Sequence, residues 1–125
     1  HEWVEHMVAE QLGLCSALQN YVMGMLEMHS GQPHLQHILL EETPLPRRVH
    51  QALLEAERDA AKTMAGFLGL YPEVRRVDLG QAGFLVVQTV ESLTHRFAAH
   101  PDEQVMTKTS FVDEVVAMLV SYLKC

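Results

Sequence analysis

The sequence predicts an all-α fold, and three observations carry that prediction. Apolar residues recur at steps of three and four along most of the chain, the spacing of one helix face. No segment alternates with period two between hairpin turns, so no sheet is expected. Gly31 with Pro33, then Gly69, then Pro101 punctuate the periodic stretches at the places where helices should stop.

The first predicted helix runs from about Trp3 to His29, on a stripe that includes Val4, Met7, Val8, Leu12, Cys15, Leu18, Tyr21, Val22, Met25, Leu26 and Met28. Ser30 and Gly31 end it, because glycine readily takes the left-handed C-terminal conformation, and Pro33 cannot continue the ladder. A short helix of two turns is expected from Pro33 to about Glu41. Thr43 before Pro44 is a start signal for the next helix, about Leu45 to Leu68, since proline is tolerated where the first N–H would be unpaired. Its stripe is Val49, Leu53, Ala56, Ala60, Met64 and Phe67, with Glu55, Glu57, Arg58, Asp59 and Lys62 on the remaining face. Gly69 stops it, and Tyr71 to Val77 form a connector. Asp78 with Gln81 resembles a capping box and opens a helix that ends near Ala99, before Pro101. The last helix begins near Ser110 and carries Phe111, Val112, Val115, Val116, Met118, Leu119, Val120, Tyr122 and Leu123.

At 125 residues the chain fits one domain, and 48% hydrophobic residues let it bury a core without a disulfide or metal. Nine Lys and Arg against sixteen Asp and Glu give a formal charge of −7, which repels a phosphate backbone and argues against direct DNA binding. No apolar run reaches the ~20 residues of a membrane span, and no signal-peptide pattern is present, so a soluble, cytoplasmic protein is expected. Cys15 and Cys125 sit in no CxxC spacing and are expected to be reduced. The chain starts at His1 and enters a helical pattern at once, and so is expected to be a piece of a longer protein.

The last two predicted helices are apolar over more of their circumference than the ~100° stripe that a surface helix needs. Leu79, Ala82, Gly83, Val86, Val90, Leu93 and Phe97 form a broad stripe, widened by Val87, Thr94 and Ala98. One reading is a second copy of the chain, paired through a four-helix interface built on Val87, Glu91, Thr94, Ala98, Val112, Val116, Leu119 and Leu123. The other is that both helices are central within a monomer.

The order of elements carries a resemblance. The hinge Gln32 to Glu42, with its Pro33-His34-Leu35 start and Leu39-Leu40-Glu41 end, follows a long helix. Val90-Glu91-Ser92-Leu93-Thr94-His95-Arg96 lies on the penultimate helix, and Phe111-Val112-Asp113-Glu114-Val115-Val116 with Tyr122-Leu123 closes the chain. Together they resemble the C-terminal effector-binding and dimerisation domain of the TetR family of transcriptional repressors. The resemblance implies an orthogonal bundle of about five helices whose last two form an intermolecular four-helix bundle. It also implies a homodimer with a small-molecule cavity among the first four helices. Operator DNA would be bound only through an N-terminal helix-turn-helix domain, which has no counterpart in these residues, and the ligand would shift the spacing of those heads.

The ligand-binding candidates are Leu18, Tyr21, Val22, Met25, Met64, Phe67, Val86 and Val90. Methionines adapt to varied shapes and Tyr21 offers one hydroxyl, which suits a lipophilic effector, although the same stripe also reads as plain core. Phe84, Gln88, Glu91 and His95 follow one line of the penultimate helix and fit a pocket, an interface or a solvated face equally. Eight histidines invite a metal reading, with His29, His34 and His37 near the hinge, but neither HExxH nor ExxH occurs and no cofactor is expected. Glu2 with His6 and Glu91 with His95 are i, i+4 pairs of the kind that form local ion pairs. No GxSxG, P-loop or supported Cys–His pair points to an enzyme. The rival functions are a structural dimerisation or protein-docking module without a ligand, and a helical-bundle metal or cofactor protein.

Overall fold

The computed structural model describes residues 12–31 and 45–125. Those residues contain four α-helices and no strand: α1 (Leu14–Ser30), α2 (Arg47–Leu68), α3 (Leu79–Ala99) and α4 (Lys108–Lys124), with a 3-10 turn at Pro101–Glu103. The expected short helix from Pro33 to Glu41 and the expected cap at Thr43 lie outside the described residues, as does the start of the first helix at Trp3.

The first helix departs from its expected course at Gly13. Gly13 is extended, with φ −66° and ψ 163°, and it stands just ahead of α1 instead of inside a helix continuing from Trp3. The break is held from outside: the Tyr71 hydroxyl donates to the Leu12 carbonyl at 2.9 Å, while the Gly13 carbonyl takes the first helical bond, from Ala17 N–H at 2.9 Å. At the other end Gly31 is right-handed, φ −60° and ψ −43°, so the left-handed stop expected there is absent. α2 starts at Arg47 with the extended Pro46 before it, slightly later than expected. Asp78 caps α3 as its spacing suggests, its carboxylate accepting from Gln81 N–H at 3.0 Å. α4 begins at Lys108, ahead of the expected start near Ser110, because the Thr107 hydroxyl accepts from Ser110 N–H at 3.1 Å and so caps the helix earlier.

α3 is the central element, packed along α2 on one side and α1 on the other, and α4 lies mainly against α1. α3 and α4 touch little, their clearest contact being the stacked rings of Phe97 and Phe111, with centroids 4.2 Å apart. The last two helices are therefore splayed instead of closely paired, because α1 packs against both of them. Leu18, Val22 and Leu26 from α1, Met64, Phe67 and Leu68 from α2, Val86 and Val90 from α3, and Leu123 from α4 fill the core. Burying each such side chain contributes roughly 1.5–3 kcal/mol before entropy is counted.

Gly83 sets the spacing of α2 and α3. A Cβ there would lie 2.5 Å from the Ala61 carbonyl oxygen and 2.8 Å from Ala65 N, so the two backbones approach as only glycine permits. The connector after α2 is tied to the far end of the chain, with Arg75 N–H donating to the Leu123 carbonyl at 2.8 Å and the Arg76 guanidinium 4.9 Å from the Tyr122 ring centre.

Candidate functional site

α1 and α2 both lie on α3 but hardly touch each other. Between them is a cavity of about 490 Å³ with α3 as its floor. Three helices contribute to it at helical spacing. Met25, Met28 and His29 come from α1, Leu53, Ala56 and Glu57 from α2, and Gln88, Glu91, Ser92 and His95 from α3. The last four share a face because residues three, four and seven apart on a helix lie in one line.

The polar groups of the cavity are in tension with their surroundings. Glu91 is held above the usual carboxylate range, first by burial and then by the charge of Glu57 across the cavity. His29 is pushed below its ordinary value, first by burial and then by His95, whose ring meets it edge-on with centroids 5.6 Å apart. Tyr21, one turn before Met25, has its phenol pushed up by burial and then by the Glu91 charge, so it stays a hydroxyl donor. Both ring nitrogens of His29 lack a hydrogen-bond partner among the described residues, although the side chain is buried. Each buried polar atom left so costs on the order of 1–3 kcal/mol, which an occupant able to hydrogen-bond would recover. Among the described residues no group of three His, Cys, Asp or Glu side chains could hold a metal ion.

A smaller groove of 190 Å³ lies between α3 and α4 on the outer surface, lined by Leu85, Val86, Thr89, Met118, Leu119 and Tyr122. Leu85 and Met118 are 46% and 57% exposed there.

A family model described as the tetracyclin repressor-like C-terminal domain matches residues 14–123. The chain belongs to that family. Neither curated proteins nor solved structures give a match. TetR-like C-terminal domains are regulatory rather than catalytic, and no described helix of this one is long and apolar enough to cross a membrane.

Within this TetR-like domain the ligand-binding candidates separate. Met25 lines the cavity and Tyr21 is half-buried beside it. Leu18, Val22, Met64, Phe67, Val86 and Val90 are buried in the packed core instead. Of the residues expected at a dimer interface, Val87, Thr94, Ala98, Val112, Val116, Leu119 and Leu123 are covered within the single chain, and Glu91 faces the cavity. Gln88, Glu91 and His95, which fit pocket, interface and solvent equally by sequence, all line the cavity, whereas Phe84 on the same helix is 49% exposed. Leu53, Ala56 and Glu57 are site residues that sequence reasoning misses. Nothing in the sequence separates Glu57 from the neighbouring charges of α2.

Proposed function

We propose that this domain binds a small lipophilic effector between α1, α2 and α3 and pairs with a second copy through the outer faces of α3 and α4, as the sensing half of a TetR-type transcriptional repressor. The observation that carries this reading is the 490 Å³ cavity between α1 and α2 on α3. Its volume lies in the range of small-molecule sites, and its wall mixes apolar side chains with a few convergent polar groups. The occupant would favour one of two arrangements of α1, and the difference in its affinity for the two would set the spacing of the operator-reading heads in the full-length protein.

The pairing face in this reading is the groove rimmed by Leu85, Thr89, Met118 and Tyr122, the outward sides of the helices whose inner sides are already covered. Adjacent exposed Leu and Met side chains are what a second apolar surface would cover. Light scattering on the wild type should give a dimer, and the pair Leu85→Glu with Met118→Glu should give a folded monomer. A wild type that is monomeric at micromolar concentration overturns the pairing.

The effector half is tested by thermal shift against a panel of lipophilic small molecules. Binding to the folded form alone raises Tm, and Met25→Trp, which fills the cavity, should abolish the rise. A panel without any rise leaves a purely structural pairing module.

A further inference from the structure

Taken as the effector site, the same cavity is biased toward one charge. Glu57 enters it from α2 and Glu91 from α3, close enough for their charges to repel. Among the described residues no lysine or arginine lines the space to offset them. The rest of its wall includes Met25, Met28 and Leu53, and thioether chains reshape readily around bulky hydrocarbon. His29 is 6% exposed and lines the same space with neither ring nitrogen hydrogen-bonded among the described residues. Burial favours the neutral ring, and a neutral imidazole keeps one nitrogen as an acceptor. Two carboxyls and an idle acceptor, set in a hydrocarbon wall, are complementary to an N–H-bearing cation attached to an apolar body.

We infer that the cavity, given its role as the effector site, selects a protonated lipophilic amine. The ammonium group lies between the Glu57 and Glu91 carboxyls and within reach of His29, and the hydrocarbon rests against Met25, Met28 and Leu53. The amine lets both carboxyls ionise together without mutual repulsion, which neither a neutral nor an anionic ligand does. Charge selection thus comes from a repulsion already present in the empty site, and an anion of the same shape is rejected by it.

The test is calorimetric titration of the 125-residue chain with three cages of one shape: 1-aminoadamantane, 1-adamantanol and adamantane-1-carboxylate. The amine should bind roughly tenfold or more tightly than the alcohol, the scale of one charge-assisted hydrogen bond, and the carboxylate more weakly still. Glu91→Gln and Glu57→Gln should each remove most of the amine's advantage over the alcohol. Equal binding of amine and carboxylate, or amine binding indifferent to both substitutions, overturns the inference. If amine and alcohol bind alike and Met25→Trp abolishes both, charge selection fails while the effector site stands. If none of the three binds, charge selection fails as well, and the broader panel decides the effector site on its own.

Discussion

Replacing Gly83 by alanine tests the close approach of α2 and α3 directly. The added Cβ would sit 2.5 Å from the Ala61 carbonyl oxygen and 2.8 Å from Ala65 N, where ordinary contact begins at 3.4 Å. Both obstacles are backbone, so no side chain can swing aside, and α2 must retreat by about 1 Å, a gap that forfeits a quarter to a half of the dispersion attraction along the contact. Overpacking of this kind costs about 1–3 kcal/mol, and rigid neighbours put it toward the upper end. Alanine returns about 1 kcal/mol of helix propensity. The net expectation is a loss of about 2 kcal/mol, which lowers Tm by roughly 6–12 °C for a domain of this length. Gly24→Ala is the control: nothing lies within 4 Å of its added Cβ, so the same exchange should raise stability by about 0.5–1 kcal/mol. Thermal unfolding followed by circular dichroism, at one fixed protomer concentration, reads both. If Gly83→Ala raises Tm as Gly24→Ala does, the two helices are not in the contact described and the geometry of the cavity they flank is wrong.

The cavity and the caps give three further expectations. Glu91 has a raised pKa in the folded state, so between the ordinary carboxylate value and that raised value the folded form binds more protons, and stability falls as pH rises through this window. Glu91→Gln should therefore be more stable than wild type at neutral pH, with the difference vanishing in acid below the ordinary carboxylate value, as Tm against pH would show. His29 has a lowered pKa, so the unfolded form binds more protons between that value and the ordinary one, and stability falls as pH drops below about 6.5. His29→Leu should flatten that limb of the profile, and an unchanged slope removes His29 as its source. Thr107→Ala deletes the bond to Ser110 N–H and should cost about 1 kcal/mol in chemical denaturation.

The helices are legible in the sequence because their faces are periodic and their ends are marked by chemistry that acts locally. Asp78 caps α3 at the expected place, and Ala99 is its last residue as Pro101 requires. The break at Gly13 is not legible, because what holds it is a hydroxyl 59 positions away in sequence, on Tyr71. The cavity is half legible for a related reason. A helical wheel gives the face of a residue but not which part of that face a neighbouring helix covers. Leu18, Val22 and Met25 share a stripe, yet Leu18 and Val22 are fully buried in the core and only Met25 lines the cavity. The polar line Gln88, Glu91, His95 is the better signal, since polar groups beside an apolar stripe must be met by something. Its destination depends on which helix lies opposite.

If the cavity is the effector site, the ties at the start of α1 would let it act as a lever pivoting there. The Leu12 carbonyl is held by Tyr71, and a few residues further on the same connector is held to the end of α4 through Arg75 and Leu123. Near the other end of α1, His29 lines the cavity. A spread of about 1 Å there, across a rod of 17 residues, about 25 Å long, turns it by only about 2° about Leu12. At Leu12 such a turn would appear as a change of angle with almost no translation, so the width of the cavity would be read out as the direction of α1 and hardly at all as its position.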